Sequence, residues 1–178
     1  MIAMLSQTMQ AALNKQVNAE LYSGYLYVSM AANFERLGLK GAAQWMRAQS
    51  KEELLHAMKL FEFVLERGGT VTLEPIAGPP TTWDSALATF QDAYAHEVKV
   101  TGMINDLVDL AMEEKDHATS TYLQWFVSEQ VEEEASADAV VQKLKLAGDS
   151  GLFLVDQELA ARPHLFILPI TGTEAQPA

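Results

Sequence analysis

Glu53 and His56 stand three residues apart, Gln130 and Glu133 repeat that interval farther along, and Glu20 and Glu97 stand alone between apolar residues. Helix positions three apart share a face, so a carboxylate and an imidazole at that interval can reach one metal ion together. Alone, such a pair says little; convergence gives it meaning. Core positions read at alternating steps of three and four form four seams. They run Leu13, Val17, Glu20, Gly24, Tyr27; then Met46, Gln49, Glu53, His56, Leu60; then Phe90, Tyr94, Glu97, Thr101, Ile104; and last Leu123, Phe126, Gln130, Glu133, Ala137. Seams of this spacing face the interior of a helix bundle. Four glutamates and a histidine are therefore expected to meet in one central layer.

An ionised carboxylate buried without a partner costs several kcal/mol, while a whole domain is stable by only about 5–15 kcal/mol. The carboxyls could stay protonated, or cations could neutralise them. The seams carry no Lys or Arg at that level and a single His, so a pair of divalent or trivalent metal ions is the expected source of positive charge. Oxygen-rich ligation with one imidazole suits iron or manganese, with zinc as a competitor. Hard carboxylates favour Fe(III) over Fe(II), and a bridging carboxylate such as Glu53 would hold two ions close together.

The elements that must position this layer are all helical. The first helix is expected from about Ser6, its N-cap, to Arg36, and the second from about Gly41 to Arg67, stopped by Gly68-Gly69. The third begins near Trp83, capped by Thr82 or Asp84, and runs to about Glu114. The fourth runs from about Lys115 to Ala147, and a short fifth from about Ser150 to Ala161. Short links make the first and second helices, and the third and fourth, antiparallel hairpins. Thr70–Thr82, with Pro75, Pro79 and Pro80, has no helical pattern. Its extended reach of about 43 Å matches a helix of about 28 residues at 1.5 Å rise. It can therefore cross the bundle and leave the second and third helices parallel. The expected fold is all-α: a four-helix bundle with one long crossover and a short fifth C-terminal helix, over residues 1–162, followed by a tail at 163–178.

Composition narrows the partners. Across 178 residues, 49% hydrophobic, Asp and Glu outnumber Lys and Arg 24 to 12, for a formal charge of -12. A surface of that sign repels nucleic acid and anionic membrane and attracts cations. There is no cysteine, which removes disulfides, thiolate zinc sites and iron–sulfur centres. No secretory signal is visible at Met1–Leu5, and no apolar run approaches the roughly 20 residues a bilayer requires. A cytoplasmic protein is expected.

The segments Asn18-Ala19-Glu20-Leu21-Tyr22, Lys51-Glu52-Glu53-Leu54-Leu55-His56, Ala95-His96-Glu97 and Leu123 to Glu134 resemble bacterial non-haem ferritin over roughly residues 5–162. The resemblance implies the ferritin-like connectivity and a dinuclear ferroxidase centre. In it Glu20, Glu53 and His56 would hold the first iron, and Glu53, Glu97 and Glu133 the second, with Gln130 as a hydrogen-bonding neighbour. Glu52, Glu129, Glu132 and Glu133 match an adjacent third iron site. A solvated acidic helix face is the alternative for Glu52, Glu129, Glu132 and Glu134. Tyr27 matches the family's tyrosine beside the metals, where it could donate an electron or only a hydrogen bond. Trp125 matches a family tryptophan, though a large aromatic in a bundle is ordinarily core. Leu54 replaces the methionine that follows the bridging glutamate in haem-binding relatives, so no haem is expected. The animal ferritins' acidic channel positions read Ser120 and Leu123 here. His96 reads as a contact residue rather than a ligand, and His117 and His164 lie at a helix start and in the tail.

The family also implies a 24-subunit homo-oligomeric shell, its short fifth helices around the fourfold axes. The leading expectation is an iron-storage ferroxidase that takes Fe(II) and O2 or H2O2 and deposits an Fe(III) mineral. A diiron or manganese oxidase acting on an organic substrate, or a peroxide-detoxifying protein without bulk storage, is the alternative. A DNA-protecting mini-ferritin would carry a basic tail, and none is present.

Overall fold

The structure, a computed structural model, describes residues 5–161. Four helices make up most of it: α1 (Gln7–Arg36), α2 (Lys40–Glu66), α3 (Ala86–Glu113) and α4 (His117–Ala160). No strand occurs among the described residues. The expected tail at 163–178, with His164, lies outside them, as does Arg162.

Local chemistry sets the helix starts. Ser6 Oγ accepts from the Met9 N–H at 2.9 Å, as an N-cap should. The third helix starts later than Trp83: Ser85 is extended and accepts from Ala88 N at 3.0 Å, which displaces Thr82 and Asp84 as expected caps. The fourth starts after Lys115, because Lys115 is left-handed (φ 57) and Asp116 accepts from Thr119 N at 3.1 Å. Gly38, at φ 77, makes the tight turn from α1 into α2.

The segment from Arg67 to Ser85 crosses the bundle along α1. Thr70 N donates to Gln10 Oε1 and Asn14 Nδ2 to the Thr70 carbonyl, while Ser29 Oγ donates to the Pro80 carbonyl at the other end. The distance from Gln10 to Ser29 on a helix is about 28 Å, which residues 70–80 span at about 3.3 Å each. The crossover therefore returns the chain to the level where α2 began, and α3 runs parallel to α2. α1 packs along α2 and α3, and α4 along α3 and α2.

The core falls into two parts. Phe34, Trp45, Phe90, Val140 and Leu144 gather at one end, and Met9, Leu13, Phe63, Ile104 and Phe126 at the other. Between them lies the polar layer.

The short fifth helix expected from about Ser150 to Ala161 is the terminal limb of α4, residues 149–160, set off from the rest by a break at Gly148 (φ 55, ψ -169). That conformation is essentially confined to glycine. The terminal limb folds back: Lys143 pairs with Glu158 across the break, and Val155 and Leu159 join the core. Asp156 Oδ1 accepts from Ala42 N at 2.8 Å, supplying a cap to α2, whose own N-cap residue, Leu39, has no side-chain acceptor. The backbones meet so closely that a Cβ on Gly41 would lie 1.7 Å from the Asp156 carbonyl oxygen.

Candidate metal centre

Glu20, Glu53 and Gln130 each stand thirteen residues beyond the first residue of their helices, and Glu97 eleven. Nearly equal depth in helices of similar length, counting α4 only to its break at Gly148, brings them to one level. Glu20 and Glu97 are 1% exposed, Glu53 2% and His56 4%; Gln130 and Glu133 are buried as well. Among the described residues, two overlapping groups could hold metal ions. The ligand atoms of Glu20, Glu53 and His56 lie within 4.8 Å of one another, as do those of His56, Glu129 and Glu133. The imidazole stands between them, with Nδ1 3.5 Å from Glu53 Oε2 and Nε2 4.0 Å from Glu129 Oε2.

Burial dominates the electrostatics. It raises Glu20 to about 7, against hydrogen bonds from Gln16 and Glu53 that pull it down. Glu53 is pushed well above the usual carboxylate range by burial, then by the Glu97 and Glu20 charges. Glu97 is raised by burial, with the Tyr27 and Gln130 hydrogen bonds opposing. Burial and then the Lys59 charge lower His56 to about 4, so it is neutral near pH 7, the form that ligates metals. Glu20 Oε2 is buried without a hydrogen-bond donor. Among the described residues the buried cationic side chain is Arg67, tied to Asp116 and Thr119 near the start of α4. The layer thus holds oxygen ligands and a neutral imidazole, and lacks positive charge.

Neighbouring amides and hydroxyls orient the carboxylates. Gln16 Nε2 donates to Glu20 Oε1 at 2.8 Å, and Gln49 Nε2 donates to Glu133 Oε2. Tyr27 donates its phenol to Glu97 Oε1, and Gln130 Nε2 reaches Glu97 Oε2 at 3.2 Å. The Tyr27 hydroxyl is held protonated, its pKa raised by burial and by Glu97 and Glu53. Gln16 and Gln49 were not singled out from sequence as partners. The available signal was a glutamine four residues before each of Glu20 and Glu53, on the same face.

The outer carboxylates differ in exposure. Glu52 and Glu129 are half-buried and Glu132 is exposed. Neither Glu52 nor Glu132 joins the two groups that bring ligand atoms together, and Glu97 stands beside them, held by Tyr27 and Gln130. Glu134 accepts from Thr101 Oγ1 at 2.5 Å. Trp125 is not core: it is 38% exposed, with its ring 5.4 Å from His56 and Lys59 Nζ 4.1 Å above it. His96 is a contact residue, with Nε2 2.8 Å from Ser23 Oγ and its ring against Tyr22 and Tyr27. His117 is exposed at the start of α4, and Leu123 is buried core. An apolar cleft of about 450 Å³ between α1 and α2 reaches Glu20, bounded by Gly24, Leu54 and Ile76.

Comparison with known proteins agrees with this fold. The ferritin-like domain family matches residues 10–147. A bacterial non-heme ferritin of Bacteroides fragilis is 44% identical over 159 residues, which cover 89% of this chain and all of that protein. One from Staphylococcus epidermidis is 38% identical over 161 residues, covering 89% and 97%. Among solved structures, the open pore ferritin of the hyperthermophilic archaeon Archaeoglobus fulgidus superposes with a TM-score of 0.88 at 55% identity, covering 89% of this chain and 99% of that one. With a crossover bundle, a buried layer of carboxylates and one imidazole at its centre, and relatives matched along nearly their whole length, the chain belongs to the ferritin family.

Proposed function

We infer that the protein is an iron-storage ferroxidase: it binds Fe(II) in pairs at the central layer, oxidises it, and passes Fe(III) to a mineral inside a shell of 24 subunits. The observation that carries this reading is the buried group Glu20, Glu53 and His56, whose ligand atoms lie within 4.8 Å of one another, with Glu97 and Glu133 buried in the same layer. Fe(II) is the substrate. Glu20, Glu53 and His56 would hold one ion; Glu53, Glu97 and Glu133 the other. Each ion gives one electron, and O2 or H2O2 accepts the pair together with protons. Binding displaces the protons that burial keeps on Glu20 and Glu53. Charge then favours oxidation, because the carboxylate set is neutralised better by Fe(III). Tyr27 and Gln130 hold Glu97 in place, while Glu129 with Glu52 and Glu132 would pass iron onward through an adjacent third site.

The experiment is native mass followed by aerobic loading with many Fe(II) equivalents per chain. Twenty-four copies of 19.6 kDa come to about 470 kDa, and the iron should stay soluble with the protein well beyond two ions per chain. A small oligomer that retains only two would overturn storage. The apolar cleft reaching Glu20 supports the second reading, an oxidase acting on an organic substrate. That reading requires a small organic molecule to be consumed in step with O2.

A further inference from the structure

Between α1 and α3, beneath the crossover, lies a cavity of about 580 Å³ that the iron chemistry does not use. Its lining is unusual for this chain. Acidic residues outnumber basic ones two to one, yet the cavity is bordered by Lys15 and Lys99 and by no carboxylate. Neither lysine pairs with a carboxylate among the described residues. Asp106 borders a smaller neighbouring cavity that shares Lys15, and Asp92, in the turn before His96, is engaged by Trp83 Nε1 at 2.8 Å. Asn18 also faces the cavity. Its Oδ1 is buried without a donor.

The size suits a small organic molecule, since sites for such ligands run about 300–1,000 Å³. The walls away from the lysines are apolar: Tyr22, Val100 and Met103, with Pro75 from the crossover. We propose that this cavity binds a small organic anion, its phosphate or carboxylate held between Lys15 and Lys99 and its apolar body laid against Tyr22, Val100 and Met103. The site stands independently of the iron reading. It does share a wall with the metal layer, because His96 borders it and packs edge-on against Tyr27 at 6.4 Å.

The test is titration of the assembled protein with 1-naphthyl phosphate, 1-naphthoate, 1-naphthol and inorganic phosphate, followed by calorimetry. One or both naphthyl anions should bind once per chain, at least about tenfold tighter than either 1-naphthol or inorganic phosphate. The tighter anion identifies the head group. The double variant Lys15→Gln, Lys99→Gln should weaken that binding by at least about tenfold, with native mass and aerobic Fe(II) oxidation unchanged. Ala77→Trp, which fills the cavity from the crossover and keeps both charges, should weaken it as well. Equal affinity for 1-naphthol and the naphthyl anions, no loss in either variant, or no binding at all would overturn the proposal.

Discussion

Glu53 sits where the layer's charges meet, and the neighbours that raise its proton affinity include Glu97, Glu20 and Glu133. If Glu53 bridges the two ions as proposed, Glu53→Ala should slow the first Fe(II) oxidation by about a hundredfold or more, on the scale of losing a group that acts on both metals. Glu129→Ala should change turnover after the first oxidation and leave that first phase nearly intact. Stopped-flow traces at two and at many Fe(II) per chain separate the two, and equal loss in both would contradict the division of sites. Stability without metal should depend on pH in a definite direction. Glu20 has a folded value of about 7 against 4.5, so its contribution is complete below pH 4.5 and is lost as pH rises through about 7. His56 and His96, lowered by burial to about 4 from 6.5, contribute fully above pH 6.5 and lose that contribution as pH falls through about 4. Above pH 6.5 the histidines are silent and the carboxyls set the slope. The thermal midpoint of metal-stripped protein should therefore fall between about pH 6.5 and 8, and bound Zn(II) should remove the fall.

At the scale of elements, α2 depends on a side chain from the far end of the chain. Asp156→Ala should cost about 1 kcal/mol, as loss of an N-cap does. Gly41→Ala should cost more, since its methyl would meet the Asp156 carbonyl and push the terminal limb off α2. Gly148→Ala should cost about 1–3 kcal/mol through backbone strain alone. Midpoints of chemical unfolding rank the three. Sequence disclosed the helices and the central layer because apolar residues at steps of three and four leave Glu20, Glu53 and Glu97 as visible interruptions. The start of α3 was less legible, because Thr82, Asp84 and Ser85 can all cap and only the backbone shows that Ser85 does. The landing place of the limb was hidden as well: Ala42 and Asp156 lie 114 residues apart, and no local pattern links them. The orienting glutamines Gln16 and Gln49 were hidden for a related reason, since a glutamine on a seam does not announce which carboxylate it meets.

The whole molecule is a strongly negative body, with a formal charge of -12 per chain. Repeated across a shell, that charge should draw Fe(II) from solution. The initial rate of iron uptake should fall as sodium chloride rises from about 0.01 to 0.5 M, over which the Debye length drops from about 30 Å to a few Å. A rate indifferent to salt would show that the field of the assembly plays no part. The bend at Gly148 bears on the same scale. A straight rod of 44 residues would extend about 66 Å, far past the ends of its three companions. Because the one residue type without a side chain stands at the corner, the subunit keeps a blunt outline. A single added methyl there opposes that outline, so the silhouette each copy presents to its neighbours hangs on the smallest side-chain change the genetic code allows.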